Sequence, residues 1–300
     1  MERVTPRTLS GFMELLPNDQ LKFNKIMDAI RYTYEKFGFL PLDTPIIESS
    51  EVLLAKAGGE TEKQIYQIKR GDSDLTLRFD LTVPLAKYVA MHYSELSFPF
   101  RRYQIGKVYR GERAQKGRFR EFYQCDIDVI GDNELSIVND AEIPYIIYTI
   151  FNKIGLNNFV VKINNRKLLS GYFDYLGLKE QSSEIMRIVD KIKKIGEDNV
   201  RLTLKDFNIE DNKIDSIMNF ISIEGNNFDI LNKLKVLKIE NDIFKQGLDE
   251  LEKVVKYSIS FGMDRNAIEI DLTISRGLDY YTGTVYETFL REHTEIGSIC

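Results

Sequence analysis

Within Arg101–Gly131 the side chains alternate twice in succession, and this double alternation constrains the fold more than any other feature of the chain. Tyr103, Ile105, Lys107 and Tyr109 fall on one face of a strand, with Gln104, Gly106, Val108 and Arg110 on the other. In Phe122–Ile130 the residues Tyr123, Cys125, Ile127 and Val129 make an apolar face, while Gln124, Asp126 and Asp128 share the opposite one. Paired antiparallel, the two strands place Arg110 and a row of amide and carboxylate groups on one polar sheet face. Cys125, on the apolar face, reads as an inert packing residue.

The rest of the chain supplies helices to cover such a sheet. Leu21, Phe23, Ile26, Met27, Ile30, Tyr34 and Phe37 recur at helical spacing, which predicts a core-facing helix from Asn18 or Asp19 as cap to a stop at Gly38. Pro41 and Pro45 confine Phe39–Ile47 to an edge or interface strand. A short helix over Glu51–Ala57 follows, then a hairpin of Ile65–Lys69 and Leu75–Asp80 around Gly71-Asp72-Ser73, then a helix capped by Thr82 that runs to about His92. Asn133–Asn152 reads as a helix bent at Pro144, and Phe159–Ile163 as a strand. From about Gly171 to Gly262 the composition shifts to Lys, Asn, Asp, Glu and Ile at helical spacing, as in Ile185, Ile188, Val189 and Ile192. Sheet signals resume with Ala267–Ser275, where Ile268, Ile270, Leu272 and Ile274 alternate with polar residues, and with Thr284–Phe289. The expected organisation is an α+β domain, an antiparallel sheet flanked by helices over residues 1–170 and 263–300, with a helical insertion at 171–262.

Composition removes several function classes. With 41 Lys+Arg against 46 Asp+Glu the net charge is -5, so bulk charge does not predict nucleic-acid binding. No apolar run is long enough to span a bilayer and the N-terminus lacks a signal-peptide core, so a cytoplasmic protein is expected. Cys125, Cys300, His92 and His293 fit no zinc or disulfide spacing, and neither histidine has a recognisable partner in the sequence. No resident metal is expected.

Three constellations carry chemistry. Arg101–Arg120 holds eight basic residues against one acid, Glu112, a local reversal of sign. A solvated basic loop would explain it, but Arg110 adjoins the polar sheet face, and planar guanidinium groups bind phosphate through two parallel hydrogen bonds. A phosphate-binding Gly-rich loop with its lysine is absent from the sequence, so any nucleotide would be held by arginines and a sheet face. Asp80, Gln124 and Asp128 could together offer acceptors to an ammonium and a ring N–H. Arg276-Gly277-Leu278-Asp279-Tyr280-Tyr281-Thr282-Gly283 lies between two strands; it reads either as a tight turn with core tyrosines or as a site where charge develops beside a flat ring.

At these residues a family resemblance becomes specific. Tyr109 through Gln124 closely resembles motif 2 of the histidyl-tRNA synthetases, a class II aminoacyl-tRNA synthetase family, and Arg276–Gly283 resembles that family's histidine-specific motif. Leu77-Arg78-Phe79-Asp80-Leu81-Thr82 is similar to a further family segment, and the helix ending at Gly38 with the Pro45 strand is similar to motif 1, which builds the dimer interface in class II enzymes.

The resemblance implies a ligase that uses ATP, with accompanying Mg2+, to form histidyl-adenylate from histidine and then charge tRNA(His), as a homodimer. It implies that Arg110 holds the ATP α-phosphate, with Glu112 near the adenine and Arg118 toward the distal phosphates. Asp80, Thr82 and Gln124 would receive the histidine α-amino group, Asp128 and Tyr281, beside Tyr280, the imidazole, and Arg276 the carboxylate and α-phosphate; Arg110 and Arg276 would be the catalytic pair. Family members continue past the position of Ser298-Ile299-Cys300 into a glycine-rich strand, motif 3 and an anticodon-binding domain, so the 300 residues alone are expected to be an impaired catalyst, as in an expression fragment. Two other expectations compete: the catalytically inactive, synthetase-like regulatory subunit of ATP phosphoribosyltransferase, and a nucleic-acid-binding scaffold without chemistry.

Overall fold

A computed structural model of the chain describes residues 4–55, 64–113, 117–275 and 281–300, in two compact units, Met1–Leu135 and Ser136–Cys300. In the first unit the two alternating segments form strands β5 (Phe100–Tyr109) and β6 (Glu121–Ile130), paired antiparallel with Gly106 opposite Gln124, Gln104 opposite Asp126 and Arg102 opposite Asp128. This register joins the two polar faces into one. The edge of this sheet is β1 (Leu40–Pro41), parallel to β5, where Pro41 lacks only a donor that a central strand would need. A second small sheet pairs β2 (Ile47–Ser49), β4 (Ser73–Leu77) and β3 (Gln67–Arg70). The β3–β4 turn is tighter than expected: Arg70 pairs with Ser73, leaving Gly71 and Asp72 as the loop, with Gly71 at φ +60°.

Helix α1 (Pro17–Lys36) covers the other face of β6. Phe23 meets the Tyr123 ring at 5.2 Å, Met27 Sδ lies 3.8 Å from Cys125 Sγ, and Tyr34 Oη donates to the Cys125 carbonyl at 2.7 Å. Its start differs from expectation, because Pro17 takes the first-turn position and no side chain caps it. Its burial differs too: only Thr33 and Tyr34 are buried, and Leu21 and Ile26 are exposed. One side of the helix meets the sheet, and its remaining apolar residues face outward.

In the second unit β7 (Phe159–Asn165) is central, parallel to β8 (Ile268–Ile270) and antiparallel to β9 (Thr284–Leu290). The strand expected over Ala267–Ser275 ends early, because the Asp271 carboxylate accepts from Thr273 N and Oγ1 and turns the chain. The helices between β7 and β8 share one core with the sheet, in which Val161, Ile163, Leu168, Phe244, Leu251 and Ile268 are buried together. Among the described residues no helix is long and apolar enough to cross a membrane.

Candidate functional site

The polar face is built from the strands and from the segment entering helix α3 (Thr82–His92). Arg78 makes that segment rigid. It is 2% exposed, and its guanidinium donates from Nε to the Lys107 carbonyl (2.8 Å) and from Nη1 to the Thr44 carbonyl (2.5 Å). Gly106 leaves room for it, since a Cβ there would stand 2.4 Å from Arg78 Nη2. Two residues on, Asp80 is 3% exposed, and its Oδ1 accepts from Val83 N at 3.1 Å. Asp80, one residue before the N-cap Leu81, therefore serves the first turn of the helix. Thr82, expected as the cap, is instead its first residue, because the aspartate reaches the exposed N–H groups from outside the helix.

Asp80, Gln124 and Asp128 all belong to this unit, and strand register puts Gln124 and Asp128 on the same face as Asp126 and Arg102. Arg102 is fully buried. Its Nη2 donates to the Leu81 carbonyl (3.1 Å) and stands 2.8 Å from Asp128 Oδ2, an ion pair without hydrogen-bond alignment. Asp80 Oδ2, Gln124 Oε1 and Arg102 Nε and Nη1 are buried with no hydrogen-bond partner among the described residues. Such groups cost free energy until a ligand engages them. Burial raises the pKa of Asp80 and of Asp128 above the ordinary aspartate value, against the N–H groups of Val83 and Thr82 and the Arg110 and Arg102 charges for Asp80, and against Arg102 for Asp128. Asp126 is pushed up to about 7 by burial and by the neighbouring Asp128 charge.

Arg110 follows β5 directly. Its Nε donates to the Phe79 carbonyl at 3.0 Å and its guanidinium lies over the Phe122 ring at 5.3 Å, while its backbone N–H donates to the Arg120 carbonyl. Its terminal nitrogens make no hydrogen bond among the described residues. Glu112 and Arg118 sit across the loop, 3.6 Å apart and partly exposed. An acceptor-rich pocket floor with a fixed guanidinium at its end can hold a zwitterion's ammonium beside an anionic group.

Arg276 and Tyr280 lie outside the described residues. Tyr281 belongs to the second unit and is exposed. The segment leading to Arg276 is held by Asn164, whose Nδ2 donates to the carbonyls of Leu272 (3.2 Å) and Ile274 (2.8 Å), and by Ser275, which donates to the Met186 carbonyl at 2.8 Å. Both histidines have surface partners that sequence spacing did not reveal: His92 Nδ1 lies 3.1 Å from Glu95 Oε1, with its ring against Tyr88, and His293 Nδ1 lies 3.7 Å from Glu295. Sequence reasoning assigned no role to Arg78, Arg102 or Asp126. The signal for the last two was present, because both share the alternation phase of Gln124 and Asp128.

The histidyl-tRNA synthetase family model matches residues 11–297. The histidine–tRNA ligase of Clostridium tetani is 61% identical over 297 residues, covering 99% of this chain and 67% of that protein. The crystal structure of histidyl-tRNA synthetase from Nostoc sp. PCC 7120 superposes with a TM-score of 0.90 at 43% identity, covering 99% of this chain and 68% of that one. A structure described as an ATP phosphoribosyltransferase regulatory subunit/histidyl-tRNA synthetase from Bacillus halodurans shares the fold, with a TM-score of 0.83 at 23% identity over 97% of this chain and 74% of that one. With the family model spanning the chain almost end to end, and a relative at 61% identity over nearly its whole length, the chain belongs to the histidyl-tRNA synthetase family.

Proposed function

We propose that this chain activates histidine with ATP to histidyl-adenylate and transfers the histidyl group to tRNA(His). The observation that carries the reading is the pair of buried acceptors, Asp80 Oδ2 and Gln124 Oε1, unpartnered among the described residues on a face that ends in Arg110. They suit the histidine α-ammonium, with Thr82 beside Asp80 at the start of the helix, and Asp128 suits an imidazole N–H. Arg110 would hold the α-phosphate, Glu112 the adenine side and Arg118 the distal phosphates. The family motif adds Arg276 for the carboxylate and α-phosphate, and Tyr280 and Tyr281 for the imidazole.

In this mechanism a histidine carboxylate oxygen forms a bond to the α-phosphorus while the bond from that phosphorus to the pyrophosphate oxygen breaks. A terminal hydroxyl of the tRNA then attacks the activated carbonyl and AMP leaves. The protein supplies position and charge rather than a covalent nucleophile. Mg2+ arrives with ATP as part of the substrate. Residues 1–170 and 263–300 would form the catalytic domain and 171–262 its insertion, in a cytoplasmic homodimer whose contact uses the outward apolar side of α1, where Leu21 and Ile26 are exposed.

The test is histidine-dependent exchange of pyrophosphate into ATP. Exchange supports the reading; its absence from a protein extended past Cys300 overturns it in favour of the regulatory-subunit alternative. A second expectation separates the two substrates. Asp128→Ala should weaken histidine by about 10–100-fold, the worth of a hydrogen bond to a charged group, and ATP far less. The variant also leaves Arg102 buried without its partner, so Asp128→Asn, which keeps the shape, is measured beside it. Calorimetry showing equal losses for histidine and ATP in both variants would remove Asp128 from the histidine site.

A further inference from the structure

Three carboxyl groups share the polar face with one fully buried cation. Asp80 comes from the N-terminus of α3, Asp126 and Asp128 from alternate positions of β6, and Arg102 from β5 directly opposite Asp128. Their partners are unequally divided. Asp80 takes the Val83 N–H on one oxygen, and Arg102 is committed to Asp128 and to the Leu81 carbonyl. The residue opposite Asp126, Gln104, turns its amide away and donates to Asp43 Oδ1 (2.9 Å) and Thr44 Oγ1 (3.1 Å). Arg110, at the far end of the strand, is anchored on the Phe79 carbonyl. Asp126 therefore has no hydrogen-bond partner among the described residues, with like charges on two sides. The face is also built for a ligand: Asp80, 97% buried by its 3% exposure, keeps Oδ2 unpartnered, and Arg102, 0% exposed, keeps Nε and Nη1 unpartnered.

We propose that Asp126 is the proton-exchanging acid of this site, holding a proton while the face is empty and releasing it when a cationic amino group is bound. Three adjacent carboxylates facing one paired arginine, one of them buried and two half-buried, repel one another when ionised, and the member without a partner is the one that keeps its proton. When an ammonium arrives, the O–H bond of Asp126 breaks, the proton leaves to solvent, and the new carboxylate pairs with the incoming positive charge. The charged groups acting on Asp126 are Asp128 and Asp80, which favour the protonated form, and Arg102 and Arg110, which oppose it. Burial and Asp128 set the balance near neutrality. The inference rests on the amino-acid-binding reading above and adds a specificity device to it: a neutral analogue lacking the amino group cannot displace the proton.

The sign follows from linkage. Because the free site binds a proton that the occupied site lacks, histidine affinity rises with pH through the range near 7 and levels off above it. Titration calorimetry with L-histidine at pH 6, 7 and 8, in two buffers of different ionisation enthalpy, measures both affinity and protons released. The wild-type Kd is expected to be about tenfold weaker at pH 6 than at pH 8 beyond the titration of the substrate's own imidazole, with close to one extra proton released at pH 6, as one exchanging group requires. Asp126→Asn should keep binding but lose the extra slope and the extra proton, and Asp126→Glu should restore both. A merely structural role for Asp126 would change affinity at every pH alike. An Asp126→Asn protein with the wild-type slope and proton count overturns the inference and leaves the amino-acid site standing. If the asparagine variant does not fold, the wild-type proton count decides alone: no release beyond the substrate's own overturns the exchange. Absence of histidine binding by the wild-type protein at every pH overturns the site itself and this inference with it.

Discussion

Replacing Arg110 by alanine is expected to slow histidine-dependent pyrophosphate exchange by about 10²–10³-fold, the effect of losing one preorganised donor aimed at developing charge. The expectation comes from how the side chain is held. Nε is committed to the Phe79 carbonyl and the plane rests over Phe122, so the two terminal nitrogens are fixed in direction before any ligand arrives. A fixed fork needs no reorganisation as charge moves onto the phosphate oxygens. Lysine should not rescue the loss, because one ammonium cannot both anchor on Phe79 and present two parallel donors. Stability is expected to fall by only about 1 kcal/mol, the net worth of a single hydrogen bond, so the variant should melt close to the wild type. Exchange rates equal to the wild type, in a protein that melts normally, would remove Arg110 from the reaction.

The same strand pair shows how far the site was legible in the sequence. Period-two alternation survives in any strand with one apolar face, so the polar phase of β5 and β6 could be read directly, and with it the grouping of Gln124 and Asp128. The partition of partners within that face could not be read. Arg102 looked like one more member of a basic run, yet the antiparallel register sets it against Asp128 with no exposure at all. With Nη2 of the arginine turned to Asp128 and the Leu81 carbonyl, Asp126 keeps no hydrogen-bond partner among the described residues. Local hydrogen-bond competition was equally invisible: Asp80 reaches the helix N–H that Thr82 was expected to serve, and Asp271 ends a strand whose alternation runs on through Leu272 and Ile274. Helical spacing in α1 identified the helix but not what it faces, since Leu21 and Ile26 obey the period and remain exposed.

Gly106 and Arg78 illustrate a further limit. Arg78 reads from sequence as part of a family-like segment, but its role is set by a void: the missing Cβ of Gly106 lets a buried guanidinium cross the sheet face and tie Thr44 to Lys107. Such a pair holds the backbone of Phe79 and Asp80 in place from behind. Function here depends on residues that touch no ligand, and their signal lies in packing rather than in chemical type.

The largest stability effect is expected from a second void of this kind, in the Ser136–Cys300 unit. Helices α5 (Arg166–Tyr175) and α11 (Asp242–Ser260) cross so closely that each contributes a glycine at the contact. A Cβ on Gly247 would stand 2.3 Å from the backbone nitrogen of Leu168, and one on Gly171 would stand 2.3 Å from that of Phe244. Backbone atoms cannot rotate aside, so the helices must separate by about 1 Å or more to reach ordinary contact. Separation loosens the buried Leu168, Phe244 and Leu251 and strains the Lys167–Glu250 ion pair that spans the crossing. Alanine is a better helix former than glycine by about 1 kcal/mol, which offsets part of the cost. The net loss for Gly247→Ala is expected to be about 3 kcal/mol, at the upper end for overpacking, or roughly 6–12 °C in Tm for a unit of this size. Gly171→Ala should cost a similar amount. Their combination should cost much less than the sum, because helices already forced apart by one methyl have room for the other. Denaturant unfolding of the two single variants and the double variant measures this coupling; additive losses, or an alanine variant as stable as the wild type, would show that the crossing is not limited by those glycines.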